Sequence, residues 1–158
     1  MKTITKTIMY LQMTAMFLTA ALAGPAAAEK QVPFRSSIQA VEIWDVQFPL
    51  RFVEASGSGN ATHLGHFTVT YEFVSNLPTR TGIGSFHFIA ANGDSIFTEA
   101  IGQGNLTDDP DVRFVVETHT ITGGTGRFAG ATGSLTVERL INLVTLISSG
   151  SFEGTISY

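Results

Sequence analysis

Between His66 and Val74 apolar and polar residues alternate: Phe67, Val69, Tyr71 and Phe73 share one face of an extended chain, and Thr68, Thr70 and Glu72 share the other. Successive side chains of a strand point to opposite faces, so this period of two predicts a β-strand with one face buried more deeply than the other. A second alternating run covers Val112 to Thr122, with Arg113, Val115, Glu117, His119 and Ile121 opposed to Phe114, Val116, Thr118 and Thr120. Gly84 to Ala90 and Ser95 to Ile101 flank Ala91-Asn92-Gly93-Asp94, where Asn-Gly can supply the positive φ angles of a tight hairpin turn. Ser134 to Ile147 and Ser151 to Ser157 predict a last hairpin across Ser148-Ser149-Gly150. Ser36 to Ile43 and Leu50 to Ala55 predict two earlier strands, separated by a bend near Asp45 and Pro49.

About eight short strands joined by short turns demand an antiparallel meander. A free edge on a long apolar sheet invites aggregation, and pairing the last strand with the first removes both edges. The expected fold is therefore all-β, a single antiparallel eight-stranded barrel. The triplet Gly-x-Phe recurs at Gly65, Gly84, Gly126 and Gly150, in each case where a strand or the turn leading into it is expected. It reads as a glycine that lets the chain bend, followed by an aromatic anchor entering the sheet.

Only the first 28 residues break the β pattern. Lys2 and Lys6 precede an uncharged apolar run from Ile8 to Ala23, and Ala26-Ala27-Ala28 closes it with small residues. This is the pattern of a secretory signal peptide cleaved between Ala28 and Glu29, leaving one barrel domain at 29–158 that is secreted or periplasmic and keeps no membrane span. All 13 acidic residues lie after position 28 and two of the nine basic ones before it, so the mature charge is −6. The remaining arginines are dispersed, which argues against nucleic acid as a partner. The chain has no cysteine, so thiolate chemistry is excluded and the exported domain relies on its apolar core.

Gly124-Thr125-Gly126-Arg127-Phe128-Ala129 fits the spacing of a dinucleotide-binding fingerprint. That fingerprint works because a helix starts there and offers its amides to a pyrophosphate, whereas here Gly130 and Gly133 follow at once before a strand-like segment. No cofactor is expected. Gly123, Gly124, Gly126, Phe128 and Gly130 read instead as a structural turn with an aromatic anchor.

The stretch from Ile121 through Gly123-Gly124-Thr125-Gly126-Arg127-Phe128 to Gly133 resembles the glycine-rich signature of the allene oxide cyclase and dirigent barrel superfamily, particularly its small secreted bacterial members. Asn60-Ala61-Thr62-His63-Leu64-Gly65 and Ala90-Ala91-Asn92-Gly93-Asp94 resemble further segments of those proteins. The resemblance covers most of the mature chain in the right order and implies a calycin-type, eight-stranded antiparallel barrel around an apolar cavity. Its plant relatives include a cyclase of oxylipin epoxides and proteins that steer radical coupling. No motif here matches the cyclase's catalytic residues, and none is carried over.

Arg113, Glu117 and His119 share a strand face, and if that face lines the barrel they are candidates for binding a ligand or, as a Glu and His pair, for acid–base work. Periodicity alone leaves open which face is inside. Glu99, like Glu72, is a lone carboxylate among apolar neighbours and a weaker candidate of the same kind. His63 and His66 would fall on opposite faces of a strand, so no shared metal is expected; His63 is placed to bond across a loop from Ser56 to Ala61. Three function classes follow: a barrel that holds a small apolar or amphipathic ligand, favoured by 11 mature phenylalanines and the lack of a complete catalytic constellation; an isomerase or cyclase acting in the cavity; and a structural protein with a filled barrel. Export from a host with a signal peptidase is expected to yield a chain starting at Glu29; N-terminal sequencing of the secreted protein checks this, and an intact Met1 would refute the leader.

Overall fold

The computed structural model describes residues 30–158; the leader expected over residues 1–28 lies outside the described residues. Eight strands follow one another: β1 (Val32–Gln47), β2 (Leu50–Ala61), β3 (Gly65–Asn76), β4 (Thr81–Ala90), β5 (Ser95–Leu106), β6 (Val112–Gly124), β7 (Thr132–Asn142) and β8 (Ile147–Ser157). Each pairs antiparallel with the next, and β8 pairs back onto β1 through Val41↔Ile147 to Val32↔Ile156, closing the barrel. No sheet edge is left open. A 3-10 turn, Gly126–Phe128, sits between β6 and β7.

The period-two alternation sets what faces inward. On β3, Phe67, Val69, Tyr71, Phe73 and Ser75 are buried, while Thr68, Thr70 and Glu72 lie outside. Phe34, Ile38, Phe86, Phe88, Ile96, Leu135, Val137, Phe152 and Ile156 join them in one core. The aromatic rings interlock edge to face, Phe67 on Phe88 at 5.5 Å between centroids and Phe88 on Phe152 at 5.4 Å.

One end of the barrel is plugged. Phe128, with no exposed surface, drops from the 3-10 turn into the barrel end and packs on Tyr158 at 4.9 Å. Arg127 holds this plug in place, donating to the His63 carbonyl and pairing with Asp94 at 3.6 Å. Gly126 has φ 59°, and a Cβ there would run into the Asp94 carboxylate, so glycine suits the turn at that point. The opposite end carries the β1–β2, β3–β4, β5–β6 and β7–β8 connections and stays open.

Four local expectations are corrected. The final hairpin does not turn at Ser148-Ser149-Gly150: β7 stops at Asn142, whose Oδ1 accepts the Val144 and Thr145 N–H groups, and Leu146 takes a positive φ of 57° to start β8. An Asx turn thus outcompetes the Ser-Ser-Gly signal. The triplets at Gly84 and Gly150 lie inside strands, with each glycine and its phenylalanine on the same inner face. They make room for neighbours and do not bend the chain. At the β4–β5 turn only Gly93 has positive φ, and the Gly93 N–H to Ala90 carbonyl and Ala90 N–H to Asp94 carbonyl bonds make a three-residue loop with a bulge. Finally, Ser56 to Ala61 belongs to β2, and His63 bonds instead to the Pro33 carbonyl (3.0 Å) and the Tyr158 hydroxyl (3.0 Å).

At Gly150 a Cβ would sit 2.8 Å from both Cα and Cγ of Arg139 on the paired strand. Gly150→Ala is expected to lower unfolding free energy by about 1–3 kcal/mol in urea titrations, with the exposed Ser149→Ala within about 0.5 kcal/mol of wild type. Equal stability of G150A and wild type would contradict this packing.

Candidate functional site

Halfway along the barrel the apolar lining gives way to a polar layer. The inner faces of β1, β3, β6, β7 and β8 contribute Glu42, Tyr71, Glu117, Arg139 and Ser148, each at most 3% exposed. These residues sit at inward positions because each holds the parity of apolar neighbours: Glu42 follows Ile38 and Ala40, and Arg139 lies between Val137 and Ile141.

Arg139 is the hub. Its Nη2 and Nε grip the two Glu117 carboxylate oxygens at 2.6 and 3.2 Å, and its Nη1 donates to Tyr71 Oη at 2.7 Å, Ser148 Oγ at 3.2 Å and Glu42 Oε1 at 3.3 Å. Glu42 also accepts from the Tyr71 hydroxyl and from Trp44 Nε1, both at 2.7 Å. Two carboxylates and one guanidinium are thus desolvated together with nearly every lone pair and proton engaged, the condition under which buried charge is tolerated. Burial pushes the Glu117 carboxyl up, but the Arg139 charge and the hydrogen bonds from His119 and Arg139 outweigh it and hold this carboxyl below its ordinary range. Burial likewise pushes the Tyr71 phenol up, with Arg139 opposing and Glu42 assisting, so the hydroxyl keeps its proton. For Arg139 burial works against the charge, and Glu117 more than compensates.

His119 lies behind Glu117, fully buried between Phe86 (4.4 Å between centroids) and Phe152 (5.4 Å). Its Nδ1 is 2.9 Å from Thr98 Oγ1 and its Nε2 3.4 Å from Glu117 Oε2. It does not border open space; Glu117 does.

Above the layer, toward the open end, is a cavity of about 280 Å³. Its floor is Glu42, Tyr71, Glu117 and Arg139; Val53, Phe73, Val115 and Ile141 form its walls; Trp44, Arg51, Arg80 and Arg113 surround its mouth. The face carrying Arg113, Glu117 and His119 is therefore the inner one. Arg113 stands at the mouth, Glu117 in the floor and His119 beneath it, so the three are aligned but do not share one surface of the cavity. Glu99 is corrected: it alternates with buried Thr98 and Ala100, which places it on the outer wall with Glu72. Of the turn residues, Gly123, Gly126 and Gly130 have φ of 148°, 59° and 80°, and Phe128 plugs the far end, remote from the cavity. Gly124 packs against Phe128, within 2.7 Å of whose Cβ its own would fall. His63 and His66 lie at the plugged end.

Glu42, Trp44, Arg51, Tyr71, Arg139 and Ser148 escaped sequence reasoning as site residues. The available signal was a polar residue at the inward parity of an otherwise apolar strand, clearest for Tyr71 between Val69 and Phe73.

Compared with known proteins, the chain matches no family model, no curated protein and no solved structure.

Replacing Arg139 by Met leaves two buried carboxylates without their cation and is expected to cost about 3–5 kcal/mol of unfolding free energy. The pH response has a defined sign. Because Glu117 titrates lower folded than unfolded, its contribution is complete above the unfolded value of about 4.3 and is lost as pH falls through the folded value. Stability of the wild type measured by urea titration from pH 6 to 3 should therefore fall more steeply than that of Glu117→Gln. Parallel slopes would contradict a depressed Glu117.

Proposed function

We propose that the protein is an exported barrel that binds a small apolar or amphipathic molecule in the cavity at its open end. The observation that carries this reading is the division of the lumen: the plugged half is filled by its own side chains, whereas about 280 Å³ stands open above the Arg139 layer. A concave, mostly apolar chamber with a few polar groups is the usual form of a ligand site, and this volume is near the small end of the range. It disfavours a barrel filled throughout. The leader pattern of residues 1–28 supports export.

Kinship with the allene oxide cyclase and dirigent barrels belongs to the same reading, supported by the glycine-rich stretch around Gly126 and by the closed eight-stranded antiparallel sheet. A cyclase or isomerase chemistry draws less support. Glu117 is the one acidic or basic candidate from the sequence that both borders the cavity and belongs to the floor, and Arg139 clamps both of its oxygens. A carboxylate so held is a poor proton acceptor.

Trp44 is the single tryptophan of the sequence and stands at the mouth, so its emission reports occupancy. Octanoate or octan-1-ol is expected to shift that emission saturably. Gly104→Leu should abolish the shift, because Gly104 lines the cavity and a Cβ there meets nothing closer than 3.5 Å, leaving the larger side chain to fill the space without breaking the wall. No saturable change with either compound, or an unchanged response in G104L, would refute binding in this chamber.

A further inference from the structure

The charges around the cavity are unevenly balanced. Its lining holds four arginines against two glutamates, in a chain whose overall charge is negative. Arg139 pairs with both glutamates of the floor, one cation against two carboxylates. The other three arginines, Arg51, Arg80 and Arg113, come from β2, the β3–β4 turn and β6, and none has a carboxylate within 4 Å among the described residues. By contrast, Arg35, Arg127 and Arg139 are all paired.

Arg51 is the most constrained of the three. Its guanidinium lies 4.0 Å from the centre of the Trp44 ring, its Nη2 is a long 3.5 Å from Ser75 Oγ, and its buried Nε has no partner. Burial depresses its pKa, Glu42 opposes this, and the charge of Arg113 adds to the fall. Leaving a buried donor unmatched beside a like charge is costly, and an anion at the mouth would relieve both. Guanidiniums favour carboxylates, which accept two parallel N–H donors.

We propose that the cavity is a site for a small organic monocarboxylate, its head on Arg51 and Arg113 at the mouth and its apolar body lying inward against Phe73, Val115 and Ile141. Arg80, more exposed, adds field at the opening. The chamber holds the liquid volume of roughly nine waters at about 30 Å³ each, which sets the body at around ten non-hydrogen atoms. The floor's hydrogen-bonding groups are already engaged with one another, so it offers little to a polar group pointing inward. Head outward and body inward is the orientation that satisfies both ends.

This rests on the binding function above and is tested separately from it. Trp44 emission is titrated with octanoate and 4-butylbenzoate, each against the corresponding alcohol, octan-1-ol or 4-butylbenzyl alcohol, at low and high salt. At least one acid is expected to bind about tenfold or more tighter than its alcohol, and to lose that margin as salt screens the charge. Which acid does so distinguishes a flexible aliphatic body from a rigid aromatic one. In Arg51→Gln/Arg113→Gln the acid should approach its alcohol to within about twofold. Equal affinity of both acids and their alcohols for the wild type overturns the carboxylate site but leaves the binding function standing. Absence of saturable binding by all four compounds overturns both.

Discussion

The interior of this barrel is organised around one buried guanidinium. Arg139 reaches from β7 to acceptors on β1, β3, β6 and β8, so a single cation ties five of the eight strands at one level. The bond to Glu42 joins residues 97 positions apart across a strand that separates them in the sheet. None of its members is affordable alone: Glu42 and Glu117 need the cation, and the cation needs them, because each is almost fully buried. The cluster draws its members from five strands held in this register. A one-residue slip of any of these strands would turn its member to the outer wall.

The same layer divides the lumen. On one side, interlocked phenylalanines around Phe88 and Phe152 fill the space to the Phe128 plug. On the other, Gly82 and Gly102 give way to the Phe73 ring and the Glu117 side chain, Gly104 adds no side chain to the wall, and the chamber stays open. A floor whose polar groups are mutually engaged is chemically quiet, and this is why Glu117 and His119, adjacent and buried, read more readily as structure than as an acid–base couple.

Strand alternation was legible in the chain from Phe67 to Phe73 and from Arg113 to Ile121, and with it the all-β class and the logic of closure. The direction of each face was not, since a period of two is symmetrical between inside and outside. Glu99 and Glu117 look alike in sequence, each a carboxylate among apolar and small residues, and only the parity of their strands in the finished barrel puts one on the outer wall and the other inside. The Ser148-Ser149-Gly150 turn failed for a related reason: turn-forming composition also suits a strand position where Ser148 must accept from the buried Arg139 and Gly150 must leave room for it. The arginines of the mouth were visible only as scattered residues, because Arg51, Arg80 and Arg113 lie far apart in the chain and meet through the meander's returning turns.

The plug has a further consequence. With Phe128 sealing the far end, the chamber is a blind vessel: there is no through-passage, and arrival and departure share one doorway. Such a vessel cannot serve as a conduit or pass a molecule from one side to the other. Any molecule that entered it would have to leave by the same rim before another could take its place.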